Sequence, residues 1–353
     1  MVDHKPDKAE RPARGLSVDE GSGGSAMMKL ISEVILSNVT RYGCGGVTLR
    51  ELDDSGSIVV GDLEIVLTTD AHTIKPIFFP GGDIGSLAAS GTLNDVSVMG
   101  VKPRAISFSM VVEEGFSKDD LSRIVRSFNG VLEEVGVDLI TGDTKVLEKG
   151  DIDGVVVTTS AIGVTQKGRI VRDSGIRPGD IIIISGSVGD HGISILSVRE
   201  GFDFQLETKS DVGPIWEVVE AALEAAGTEG VRAMKDPTRG GLSNALNELA
   251  EKSGVGMEVR EEEIPIRQDI ASAAEMLGVD PLSVTNEGKA IIAVDPELSD
   301  DVLAALRRTR RGRDAAIIGR AVADHVGEVV METKVGGKRL LERPIGDPAP
   351  RIC

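Results

Sequence analysis

The sequence predicts an α+β fold in two domains, and three observations carry that prediction. Short alternating apolar runs of strand length are interleaved with longer segments of helical periodicity in both halves of the chain. A length of 353 residues with 41% hydrophobic side chains suffices to fill two cores. The 43 glycines point to many tight turns or phosphate-approaching loops, and the 3% aromatic share points to aliphatic cores rather than aromatic ligand stacks.

Taken in order, residues 1–26 read as a mobile tail: charge and Pro without apolar periodicity, ending in the Gly-rich DEGSGG at Asp19 to Gly24. The fold is expected to begin at Met27, where Met28, Leu30, Ile31, Val34, Ile35 and Leu36 recur with helical spacing. Strands follow at Ser57–Val60 and Leu63–Thr68, the second running into TTDAH. The small residues of Phe78–Gly100 suit a closely packed helix or a phosphate-facing turn. Ala105–Val112 reads as a strand, and Ser117 as the N-cap of a helix ending at Val135 before Gly136. A strand at Val137–Thr141 leads into GDTK at Gly142–Lys145, and another covers Val155–Ile162. The domain boundary is placed at residues 166–179, giving an N-terminal domain over 27–166 and a C-terminal domain over 167–340. In the second domain Ile181–Ser185 and Ala290–Val294 read as strands, and Pro214–Ala226 and Leu242–Lys252 as helices. Residues 341–353, rich in proline, read as a movable arm ending in Cys353.

Charge and composition exclude several function classes. With 57 acidic against 39 basic side chains the formal charge is −18, which opposes broad contact with nucleic acid or anionic lipid. No apolar run approaches the roughly 20 residues of a membrane span. Two cysteines, Cys44 and Cys353, build no disulfide framework. The expectation is a cytoplasmic protein that binds neither membrane nor nucleic acid.

The most informative chemical feature is a set of aspartates placed at strand ends or in Gly-rich turns: Asp62, Asp70, Asp95, Asp143 and Asp236. Such carboxylates can share Mg²⁺ with phosphate oxygens, so a nucleoside triphosphate is the matching ligand. Lys145 adds a compact positive charge and Gly142 admits backbone amides to phosphates. Taken singly, each Asp is more simply a turn former or helix cap. DPTRGG at Asp236–Gly241 offers free amides before a helix, with Arg239 as a phosphate contact, or reads as an ordinary helix start. No P-loop accompanies it. Glu287, in TNEGK, is either a general base in a cleft-facing turn or a solvated turn residue. His72 and His191 lie in turns without zinc-ligand spacing, and Cys44 reads as a small loop or packing residue. Cys353 is either an accidental terminal thiol or one carried on a tether that can enter another site.

Together GSGG, TTDAH, FFPGGDIG, GTLNDVSVMG, EEG, TGDTKV, GDHG, DPTRGGL, NEGK and the ending PRIC resemble the HypE family of hydrogenase maturation factors. That family is a branch of the ATP-binding superfamily that includes aminoimidazole ribonucleotide synthetase and selenophosphate synthetase. The resemblance covers the chain from about Gly21; Glu20 stands where many members carry His, and residues 1–18 are additional.

The resemblance implies a two-domain subunit of the aminoimidazole ribonucleotide synthetase type, with N-terminal domains pairing into a β-barrel-like homodimer core. It implies ATP and Mg²⁺ in a cleft lined by both domains. The nucleotide-binding set is then Asp62, Thr69, Asp70, Asn94, Asp95, Gly142, Asp143, Lys145, Asp236, Arg239 and Gly240, with Asp70, Asp95, Asp143 and Asp236 toward the metal. The implied activity is ATP-dependent dehydration of an S-carbamoyl group on Cys353 to a thiocyanate, with Glu287 and Lys145 in catalytic roles. HypF would supply the carbamoyl group, and the HypC–HypD scaffold would receive the cyanide for the iron of [NiFe]-hydrogenase. Two alternatives stay open: a synthetase that phosphorylates a free small molecule, and a non-catalytic adaptor whose terminal thiol holds a metal or partner.

Overall fold

A computed structural model describes residues 15–21, 23–201 and 207–344. The N-terminal tail and the end of the arm, with Cys353, lie outside the described residues. The first half contains α1 (Gly24–Leu30), β1 (Gly56–Val60), β2 (Leu63–His72), the short β3 (Phe78–Phe79) and β4 (Gly82–Asp83), α2 (Ile84–Val98), β5 (Pro103–Glu113), α3 (Lys118–Val135), β6 (Asp138–Leu147) and β7 (Val155–Gln166). The helical path of α1 continues through a π turn at Ile31–Ile35 and a 3-10 turn at Leu36–Asn38.

Five of these strands form one sheet in the order β1-β2-β7-β5-β6, antiparallel except for the parallel β5/β6 pair, which α3 connects. The helix α2 packs on β2 and β7 on one face and meets α3. Its small residues are what allow this, and 13 of its 15 residues are buried, from Ile84 to Val98. Asp83 starts the helix by accepting from the Gly85 and Ser86 amides at 2.8 and 3.2 Å. In α3 the Ser117 hydroxyl accepts from Asp120 N at 3.2 Å, and Gly136 ends the helix at φ 77°. Among the described residues the opposite face of the sheet is uncovered and carries exposed apolar side chains, with Ile58 39%, Leu67 44% and Val164 40% exposed.

The second half contains β8 (Ile181–Ile184), α4 (Asp190–Glu200), α5 (Trp216–Gly230), β9 (Val231–Lys235), α6 (Gly241–Ser253), β10 (Gly256–Arg260), α7 (Gln268–Leu277), β11 (Ile291–Val294), α8 (Ser299–Leu306), β12 (Ala316–Val322), β13 (Val329–Glu332) and β14 (Lys338–Leu340). Their sheet runs β14-β13-β10-β12-β8-β11-β9. The unbroken apolar run of β8 follows from cover on both faces: Ile182 and Ile184 join the core under α6, and Ile183 joins the core under α5 and α8. Side chains from α4 and α7, such as Ile193 and Ile270, belong to the same core as α2 and α3, so the two halves share apolar packing.

Three sequence expectations are corrected. Asp95 lies in the interior of α2, not in a turn or at a strand end, because the surrounding small residues extend the helix through it. The strand before GDTK does not stop at Thr141; β6 runs to Leu147, so Asp143 and Lys145 are strand residues. His72 and His191, expected in turns, lie in regular elements: His72 ends β2 and His191 is in the first turn of α4. Cys44 takes the loop alternative, exposed at an isolated bridge to Ile58.

Candidate active site

Strand β2, helix α2, the β9–α6 loop and the segment before β1 converge on a cavity of about 280 Å³, closed on one side by α1. The strand period places Thr68, Asp70 and His72 on the face that α2 covers. There Thr68 Oγ1 donates to Asp95 Oδ2 at 2.9 Å, and Thr92 Oγ1 donates to Asp70 Oδ2 at 3.1 Å. His72 Nε2 lies 3.3 Å from the same Thr92 hydroxyl. From the other half Asp236 follows directly on β9, and Asp53 and Asp54, just before β1, complete the wall.

The carboxylates crowd one another. Burial, then Asp70, Asp236 and Asp54, push the Asp95 carboxyl well above its usual range. Burial and Asp54 raise Asp236 to about 8, and burial, Asp173 and Asp54 raise Asp53 to about 7. Glu287, 2% exposed, is also pushed well up, by burial and then by Asp236 and Asp211. Burial lowers His72, with Arg239 acting in the same direction against Asp70. Asp54 Oδ2, Asp236 Oδ2 and Glu287 Oε1 are buried oxygens without a hydrogen-bond partner. A buried cation is built into the wall: Lys235 contacts Asp54 and lies 3.3 Å from Glu248. Burial opposes its charge, yet Asp54 and Glu248 hold it well above the usual lysine value.

This donor set fits a divalent cation shared with phosphate. Hard oxygen atoms converge, several lack partners, and their mutual repulsion is relieved by positive charge. Among the described residues no group of three or more His, Cys, Asp or Glu closes into a metal cage by itself, so ligand oxygens would complete the coordination.

Of the residues singled out from the sequence, Thr69, Asp70, Asp95, Asp236 and Arg239 line this cavity. Gly240 stands at its edge as the N-cap of α6, in a left-handed conformation at φ 76°. Asn94 does not face it: its amide donates to Gly213 O and Glu287 O at 3.2 and 3.3 Å and accepts from Ile215 N at 2.9 Å. Asp62 occupies the β1–β2 turn, about 26 Å along the strand from Asp70. Asp143 and Lys145 pair with Ser109 and Val111 on the open face of the sheet, while Asp70 points to the α2 face. Two strands separate them from β2, a spacing of about 14 Å. Gly142 serves the strand pairing, since a Cβ there would meet Phe108 O at 2.4 Å. Glu20, in a short 3-10 turn, accepts from Ser17 N at 2.7 Å.

Two family models of AIR synthase related proteins match the chain, the N-terminal domain over residues 52–165 and the C-terminal domain over 177–332. The carbamoyl dehydratase HypE of Azotobacter vinelandii is 46% identical, covering 94% of this chain and 96% of its own. This chain belongs to the HypE family. Among solved structures, the HypE of a HypE–HypF complex superposes with TM-score 0.82 at 38% identity, over 89% of this chain and 99% of that one. A HypE crystallised in complex with ATP superposes with TM-score 0.79 at 40% identity, over 96% and 100% of the two chains.

Several residues of this HypE-type cleft escaped sequence reasoning: Asp53, Asp54, Lys235, Glu248 and Lys252. The doublet in ELDDS and the Lys immediately before DPTRGG were the available signals. Neither has a motif's specificity, because their meeting depends on contact between halves nearly two hundred residues apart. Lys252 is a further cross-link, bonding Leu52 O and Asp173.

Proposed function

We propose that this chain uses ATP to dehydrate an S-carbamoyl group on its own Cys353, forming a thiocyanate that supplies cyanide to the iron of [NiFe]-hydrogenase. The observation that carries this reading is where the chain leaves the fold. Leu341 is buried and accepts from Asn247 at 2.7 Å. Pro344 O then accepts from Ser25 N at 3.4 Å, while the Pro344 ring lies beside Gly240. Ser25 and Gly240 flank the acidic cleft, so the arm departs from its mouth. The nine remaining residues, 345–353, reach at most about 30 Å, enough to return the terminal thiol to the cavity.

The chemistry follows from the groups present. The carbamoyl oxygen is a poor leaving group, so it first attacks the γ-phosphorus of ATP; the P–O bond to ADP breaks and one amide proton is lost. Removal of the remaining N–H proton then drives C–O cleavage, leaving S–C≡N and inorganic phosphate. Asp70, Asp95 and Asp236, with Asp54, are the residues that would hold Mg²⁺, which when bound neutralises phosphate charge. Arg239 adds a fixed positive charge near the same oxygens. Glu287 is the base for the nitrogen: a buried carboxylate, once ionised, binds a proton strongly. Asn94 fixes the loop that carries it.

Asp143 and Lys145 take part only if a second copy brings a cleft to them, since they project from the open face. The exposed apolar residues there support a homodimer through this sheet. HypF as carbamoyl donor and a HypC–HypD scaffold as cyanide acceptor complete the proposal.

The test is mass spectrometry of the C-terminal peptide after incubation with carbamoyl donor, HypF and ATP. A carbamoyl adduct followed by loss of water is expected, and Cys353→Ser should abolish both. A synthetase for a free small molecule would keep its turnover in that variant, and an adaptor would leave the thiol unmodified.

A further inference from the structure

Glu287 sits on a loop between the 3-10 turn Pro281–Ser283 and β11, with no helix or strand to fix it. Its position is set from outside. Asp211 Oδ1 accepts the Glu287 N–H at 3.1 Å, and Asp211 Oδ2 accepts the Gly288 N–H at 3.3 Å. The same Oδ2 pairs with Lys289 Nζ at 3.0 Å. One carboxylate therefore grips three consecutive residues of NEGK. Gly213, two residues further on, donates its N–H to Glu287 O at 3.3 Å, so the segment around Asp211 holds both backbone poles of Glu287.

The grip is charged and buried. Burial raises the Asp211 carboxyl, but Lys289, His191 and the Glu287 amide outweigh it and hold it below the usual range. Hydrogen bonds to an ionised acceptor are about twice as strong as neutral ones. Asp211 approaches from the side away from the nucleotide cleft: it lines a separate polar cavity of about 1370 Å³ together with Lys289, Arg267 and Arg311. It is thus placed to act on Glu287 without touching the substrate.

We propose that Asp211 is a positioning residue for the dehydration, fixing the Glu287 carboxylate by gripping Glu287, Gly288 and Lys289 from behind the loop. The proposal rests on the reading of Glu287 as the base. Displacing a reacting group by an ångström costs on the order of a hundredfold in rate, so a small slackening of this loop is expressed in turnover.

The experiment compares Asp211→Asn with the pair Asp211→Asn/Lys289→Met, which removes both charges and leaves no unpaired buried ammonium. Folded fraction, nucleotide KM and kcat for thiocyanate formation are measured on the full chain, with Glu287→Gln alongside. The expected result is a folded protein with nucleotide KM unchanged and kcat lowered roughly tenfold or more in both variants. A kcat equal to wild type, or a kcat that falls only in proportion to folded protein and nucleotide affinity, overturns the proposal. Full turnover in Glu287→Gln overturns the base and the clamp together. An inactive Glu287→Gln beside fully active Asp211 variants overturns the clamp alone.

Discussion

Asp236 shows how the site trades stability for binding. Its carboxyl is raised to about 8 from an ordinary 3.8, first by burial and then by Asp54. A group raised in the folded state stabilises fully below its unfolded value, and that contribution is lost as pH rises through the folded value. The ligand-free protein should therefore lose stability between about pH 4 and pH 8 from this residue, with Asp53, raised to about 7, adding to the loss. Asp236→Asn is expected to raise the melting temperature of the ligand-free protein by a few degrees at pH 8, and by less at pH 5, while weakening Mg²⁺-dependent nucleotide binding. Thermal scans at the two pH values check the first part and calorimetric titration the second. By contrast, exposed pairs such as Arg320–Glu258 at 3.1 Å contribute about 0–1 kcal/mol at most.

At the scale of elements, α2 governs the site because it carries Thr92, Asn94 and Asp95 while packed against both β2 and α3. It comes close to α3 at Gly85, where a Cβ would lie 2.1 Å from Ile124 O and 2.6 Å from Ser127 Oγ. Those are a helix carbonyl and a hydroxyl bonded to it, and the carbonyl cannot move without breaking the helix. Gly85→Ala should cost about 1–3 kcal/mol, read from urea unfolding, and should shift α2 enough to lower turnover. A variant with wild-type stability would show that α2 and α3 are less tightly packed than described. The helix identity of α3 was legible from Ser117 and Gly136, since caps are local chemistry. The placement of Asp95 within α2 was not, because a segment of small residues satisfies a turn and a buried helix equally until its cover is known.

For the whole molecule, the decisive feature is one sheet with α2 and α3 on one face and, among the described residues, no helix packed on the other. Large apolar side chains on the open face are explained if a second copy covers them. Replacing the 44% exposed Leu67 with Glu is expected to leave the melting temperature of the subunit nearly unchanged and to shift the proposed dimer to monomer in sedimentation. Wild-type association in that variant would remove this face as the interface.

The sequence by itself determined the class of fold, most strands and helices, the family and the chemistry of the aspartates, because periodicity, caps and ordered motifs are written locally. Tertiary structure alone decided which carboxylates share a space. Asp70, Asp95 and Asp236 meet because α2 is clasped between the first sheet and the second half of the chain. Asp62 and Asp143, identical in chemistry, are left outside by a strand's length and by the two-residue period that turns neighbouring side chains to opposite faces.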